Sequence, residues 1–137
     1  MKKLLLMLFV GLVSHNAMAQ FQSENHTKFQ EEHQALQNEV QLKLAKVESD
    51  YEKELAVITQ NYKLEIAKLK TEYEGNAAKN PLLQEKYKKE AGKINNKYDL
   101  QTKDLIFKVT VERAKIENDY YHERKKLMDK YEVYDIE

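Results

Sequence analysis

Residues 40–73, VQLKLAKVESDYEKELAVITQNYKLEIAKLKTEY, decide the fold. Their large apolar side chains follow a 4-4-3 spacing: Val40, Leu44, Val47, Tyr51, Leu55, Ile58, Tyr62, Ile66, Leu69, Tyr73. Eleven residues over three turns is about 3.67 per turn, close to the natural 3.6 of an α-helix. One stripe therefore stays on one face with almost no supercoil. Working outward, Phe29 extends the same eleven-residue series backwards. A second series follows it: Leu83, Tyr87, Ile94, Tyr98, Leu105, Val109, Ile116, Tyr120, Leu127, Tyr131. Its third position is small or cationic, at Ala91, Thr102, Arg113 and Arg124. This phase persistence specifies long packed helices.

The two series break phase between Tyr73 and Tyr87, at Gly75-Asn76-Ala77-Ala78-Lys79-Asn80-Pro81. Gly75 suits the left-handed residue after a helix end, and Asn80 suits an N-cap with Pro81 in the first helical position. The spacing predicts helix one over about 23–74, a loop at 75–80 and helix two over about 81–133. At 1.5 Å per residue each helix is roughly 75 Å long. Folding back antiparallel about residue 78 sets residues whose numbers sum to about 156 opposite one another. Each large ring then faces an aliphatic side chain, as Tyr73 on Leu83 and Tyr62 on Ile94. The fold class is all-α, a long antiparallel, coiled-coil-like helical hairpin. The closing segment Tyr131–Glu137 reads as a frayed end.

Composition agrees. One Pro, three Gly and no Cys in 137 residues leave few turns and argue against a sandwich, a barrel or a wound α/β sheet. The missing Cys excludes disulfides, thiol catalysis and Cys-based zinc sites. Twenty-three basic and 23 acidic residues cancel, which removes the usual electrostatic reason to expect nucleic acid. No Gly-rich phosphate loop or nucleophile–base arrangement occurs, so the expectation is a protein without enzymatic activity.

Residues 1–19 read as a signal peptide. Lys2 and Lys3 precede an apolar run from Leu4 to Val13, and Ala17-Met18-Ala19 supplies the small-x-small cleavage pattern before Gln20. Cleavage between Ala19 and Gln20 delivers residues 20–137 to the periplasm as a single hairpin domain.

Three features are candidates for function. The face of helix one opposite the tyrosines is small and uncharged apart from Lys53, and it includes Leu42, Ala45, Ser49, Ala56 and Leu64. Helix two carries Leu100, Phe107, Val111 and Ala114 on its corresponding face. Apolar surface on two faces predicts self-association as a homo-oligomer. Charge is separated lengthwise as well. Residues 63–97 hold nine Lys and five Glu, net +4, while the rest of the exported chain holds 12 basic and 18 acidic residues, net −6. Lys86, Lys88, Lys89, Lys93 and Lys97 dominate that tip, which could meet an anionic envelope surface or an acidic protein partner; the alternative is a solvated surface of Glu–Lys pairs. Lastly, the folded register brings His33 near His122, with Glu32, Asp119 and Glu123 close and His26 one stretch away. Imidazoles with carboxylates are ligands for Zn²⁺, Cu²⁺ or Ni²⁺.

Exported, Cys-free helical arms with a basic tip resemble in outline the Skp/OmpH type of periplasmic chaperone. That type also carries a small β-rich trimerisation body, for which no strand segments are present here, and the LTxxQ motifs of the Spy/CpxP chaperones are absent. The likeness is one of architecture, and it implies an interaction protein that holds a client or partner. The leading expectation is thus a non-enzymatic periplasmic scaffold, envelope or secretion accessory, or holdase-like chaperone. The alternative is a periplasmic metal sensor or buffer built on His33 and His122.

Overall fold

The computed structural model describes residues 2–75 and 80–133, with side chains from Ser23 onward. Two helices make up the architecture: α1 (Lys2–Tyr73) and α2 (Pro81–Tyr131). They pack against each other as an all-α helical hairpin, with no strand among the described residues. The cleavage pattern at Ala17-Met18-Ala19 falls outside the described side chains, and residues 76–79 of the expected loop fall outside the described residues.

Local chemistry ends α1 and starts α2 at the turn expected between them, whereas α1 begins at Lys2 and not at about residue 23. Beyond Tyr73, Glu74 N–H donates to the Lys70 carbonyl at 2.7 Å, and Gly75 takes the left-handed conformation with φ +91°. An L side chain at that φ is strained, so glycine is the residue that fits. The Asn80 side chain accepts the backbone N–H of Leu82 at 3.0 Å, satisfying one donor that the first helical turn leaves unpaired. Pro81, which has no N–H to satisfy, occupies the first helical position. At the far end Val133 N–H donates to Met128 and Glu132 N–H to Asp129, at 3.0 and 3.4 Å, with Glu132 at φ 55°. This is a Schellman closure on a non-glycine residue, and it stops α2 at Tyr131, two residues before the expected end.

The chain divides into two compact units, Met1–Leu42 with Ile116–Glu137, and Lys43–Lys115. In the first, Phe29 is buried, with Leu36, Val40, Ile116, Tyr120 and Leu127 half-buried along the seam. In the second, Leu69, Tyr73, Tyr98, Leu105 and Val109 are buried. Every position of the 4-4-3 stripe from Val40 to Tyr73 is buried or half-buried, so the sequence period is the packing period. No described side chain is less than 2% exposed, however, and the core is one residue deep.

The register differs from the expected sum of 156. Tyr62 meets Tyr98 and Tyr73 meets Tyr87, both at 160, while Glu65 bonds Lys97 and Glu54 bonds Lys108, both at 162. Tyr62 with Asn95 and His33 with Tyr120 come lower, at 157 and 153. Helical side chains lean towards their own N-terminus. In an antiparallel pair both leans raise the summed number, as at the contacts of 160 and 162, whereas His33 with Tyr120 lies on the other side of 156. Two ring-on-ring contacts stand beside the expected ring-on-aliphatic ones. Tyr62 and Tyr98 pack edge-to-face at 5.6 Å between centroids, as do Tyr73 and Tyr87 at 5.7 Å. Edge-to-face is a favourable geometry for aromatic rings.

Gly92 lies inside α2, and a Cβ built there would meet nothing within 4 Å. No close approach of the helices explains this glycine.

Candidate interaction surfaces

The seam carries a polar border written by the same eleven-residue period. Glu65 accepts from Lys97 Nζ at 2.5 Å and from Tyr98 Oη at 2.8 Å. Thirty-three residues away on each helix the arrangement recurs: Glu32 accepts from Lys130 Nζ at 2.8 Å and from Tyr131 Oη at 2.7 Å. In both, the lysine also lies over the ring of the following tyrosine, at 4.9 and 4.7 Å. One repeat from the first, Glu54 accepts from Lys108 at 2.9 Å, and Arg113 pairs with Glu48 on the opposite border. Thus several tyrosine hydroxyls at the seam edge find a partner, as a half-buried phenol requires. Each ion pair is largely solvated, and such pairs add little individually. Their repetition fixes which turn of α1 lies against which turn of α2.

These contacts shift titrations in a defined direction. Hydrogen bonds from Lys130 and Tyr131 hold the Glu32 carboxyl below its ordinary value, and those from Lys97 and Tyr98 do the same to Glu65. The partner lysines Lys97, Lys108 and Lys130 are raised, chiefly by the carboxylate hydrogen bonds, and Tyr73 and Tyr98 are raised chiefly by burial. A carboxyl lowered on folding contributes stability above its unfolded value of 4.5 that is lost as pH falls through the folded value. A lysine or tyrosine raised on folding contributes below 10.5 or 10.0, and that is lost as pH rises through the folded value. The thermal midpoint followed by circular dichroism is expected to be flat between about pH 5 and 9.5 and to fall on either side. Glu32→Gln with Glu65→Gln should flatten the acid limb, and an unchanged acid limb in that variant would refute the assignment.

His33, His122 and His26 are engaged separately. His33 stacks on Phe29 and Tyr120, at 5.3 and 6.1 Å, and its Nε2 shares a 2.8 Å hydrogen bond with Tyr120 Oη. His122 meets the edge of Tyr121 at 5.7 Å, and His26 Nε2 lies 3.0 Å from Gln30. Glu32 is held by Lys130 and Tyr131, and Glu123 by Lys126 at 2.6 Å. Among the described residues no three His, Asp or Glu side chains gather to hold a metal ion. His33 belongs to the seam, where ring stacking and a tyrosine hydroxyl occupy it, while His122 and His26 have partners of their own.

The lysine-rich segment separates into two kinds of residue. Lys97 is tied to Glu65 across the seam border. Lys86, Lys88, Lys89 and Lys93 are exposed and make no ion pair with a described residue. At 3.6 residues per turn, Lys86, Lys89 and Lys93 share one face with Leu82, Leu100, Phe107 and Val111, opposite the seam, and Lys88 projects to the flank. That face is uncovered: Leu82, Phe107 and Leu100 are 77, 72 and 60% exposed. On α1, Leu42 is 73% exposed and Leu64 52%. The lysines and the apolar residues continue one another along α2. The 4-3 spacing Leu82, Lys86, Lys89, Lys93, Asn96, Leu100 carried that signal.

A shallow depression on α1, lined by Leu55, Ala56, Thr59 and Gln60, is open to solvent. No described helix is long and apolar enough to cross a membrane. No protein-family model, curated protein or solved structure matches the chain.

Proposed function

We propose that this protein is an exported, non-enzymatic interaction protein of the bacterial periplasm, serving as a scaffold, an envelope or secretion accessory, or a holdase-like chaperone. One observation carries the interaction role. Large apolar side chains stand on the outward faces of both helices, while only six side chains are buried among the described residues. Exposed apolar surface of this kind marks places where other protein surfaces bind. Residues 1–19 support export: two lysines, the apolar run Leu4–Val13 and Ala17-Met18-Ala19. The lysine face of α2 adds an electrostatic handle for an acidic partner or envelope surface.

Expression in a Gram-negative host with fractionation and intact-mass measurement tests the export step, with the periplasmic product expected to begin at Gln20. The interaction role is tested by light scattering as an unfolded outer-membrane protein is diluted from denaturant, and by in-cell crosslinking with mass spectrometry. Suppressed scattering supports the holdase branch. A specific crosslinked envelope protein without suppression supports the scaffold or accessory branch. A cytoplasmic product, or neither suppression at molar excess nor a specific crosslink, would overturn the proposal.

A further inference from the structure

We infer that the outward face of α2 beside the turn, from Leu82 to Leu100, lies on an anionic lipid surface, its lysines meeting lipid phosphates and Leu82 entering the headgroup layer. This rests on the periplasmic interaction role proposed above and names a membrane as one partner.

Lys28, Lys53, Lys103 and Lys126 each pair with a carboxylate three or four residues away on their own helix, and Lys97, Lys108 and Lys130 pair across the seam. Lys86, Lys88, Lys89 and Lys93 do neither among the described residues, and all four are exposed. Lys86, Lys89 and Lys93 form a row over about 10 Å of helix axis, with Lys88 on its flank. Leu82 and Leu100, 77 and 60% exposed, stand at the two ends of the row, and Gly92 and Asn96 keep the space between small and uncharged. Glu85 flanks the row, so four lysines face one carboxylate there. Glu90 is turned to the seam beside Tyr73. Near Leu100 the row ends: Asp99 is paired with Lys103, and Asp104 stands on the outward face. On the adjoining length of α1, Lys63, Lys68 and Lys70 are exposed as well. All of these residues belong to one compact unit, Lys43–Lys115.

A lipid surface is the occupant that fits this spread of cations. Its anions move laterally and gather under each ammonium whatever the spacing, and each lysine near such a surface strengthens binding about fivefold. A folded acidic partner must instead hold fixed carboxylates at matching distances, and it would bury Glu85 against them, which is costly. Lysines with long apolar stems beside exposed leucines are also the composition of helices that lie in a headgroup layer, where the stems and leucines are covered while the ammoniums stay wet.

The protein expressed from its full coding sequence and purified is expected to cosediment with vesicles of phosphatidylglycerol and phosphatidylcholine, and not with phosphatidylcholine alone. Lys86→Gln with Lys89→Gln and Lys93→Gln should weaken that binding about a hundredfold, with helicity by circular dichroism unchanged. Lys28→Gln with Lys53→Gln and Lys126→Gln removes as many charges from lysines paired within their own helices, and should change it no more than about threefold. The chain has no Trp, so Leu82→Trp reports on the row alone. Its emission should move to shorter wavelength on the anionic vesicles, while Leu42→Trp, at a side chain 73% exposed in the other compact unit, should not respond. No binding to the anionic vesicles, equal binding to both vesicle types, or equal losses in the two lysine variants would each overturn the lipid surface. So would an unmoved Leu82→Trp emission, or one matched by Leu42→Trp. A wild type that ignores vesicles yet crosslinks through Lys89 or Lys93 to an acidic envelope protein would overturn it too, assigning the face to a protein. A chain that fails on vesicles but suppresses aggregation or keeps its envelope crosslink sinks the lipid surface and leaves the interaction role standing. Vesicle binding with neither does the reverse.

Discussion

Leu105→Ala is expected to lower the unfolding free energy by about 2–4 kcal/mol. Leu105 is the most deeply buried of the six core side chains, at 5% exposed. Removing it loses the transfer free energy of three carbons and opens a cavity between helices that cannot close without breaking register. The neighbouring seam positions, Tyr98 and Val109, are held by their own packing, so little relaxation fills the gap. For a domain of this size the thermal midpoint should fall by roughly 10 °C or more. Leu82→Ala, at a side chain 77% exposed, is the control and should change stability by no more than about 0.5 kcal/mol. Thermal and urea denaturation followed by circular dichroism measure both. Equal effects in the two variants would mean that the seam is not the core.

A one-residue insertion should do more damage than an eleven-residue one. Adding a single alanine between Gln60 and Asn61 turns every upstream residue of α1 by about 100° relative to those downstream. Leu55, Ile58 and Tyr51 then leave the stripe that Tyr62, Leu69 and Tyr73 define, and Glu54 leaves the border on which Glu65 stays. The helix can bury one part of its stripe or the other, so the larger share of the seam energy is lost. The expected result is a loss of cooperative unfolding, with about a quarter or more of the helical signal gone at 25 °C. Inserting a copy of residues 51–61 instead returns each residue to within about 20° of its face, and cooperative unfolding should survive. Comparable loss in both variants would show that phase does not hold the hairpin together.

Much of the fold was legible because its determinant is a spacing. The 4-4-3 pattern from Val40 to Tyr73 needs only the helical pitch to be converted into a face, and that face is the one buried. Gly75, Asn80 and Pro81 act through their own backbone chemistry, so their roles were legible too. The fine register was not. Side-chain lean moves contacts by several residues, and Tyr62 packs on Tyr98 and Tyr73 on Tyr87, ring on ring. The surroundings of the histidines were not legible for a related reason. Sequence distance placed His33 near His122, but the three-dimensional direction of each ring gave His33 to Phe29 and Tyr120.

The shortage of turn residues, the eleven-residue period and the lysine-rich stretch are properties of the sequence by itself. Together they determined two long helices, one turn and one buried stripe, because helical pitch is a local quantity. Which lysine is tied and which is free, and which ring meets which, depended on side chains far apart in the chain. Lys97 bonds Glu65 while Lys89 and Lys93 stand clear of the seam. Only the packing of α1 on α2 decided that, since it sets the few ångströms over which a hydrogen bond or a ring contact exists.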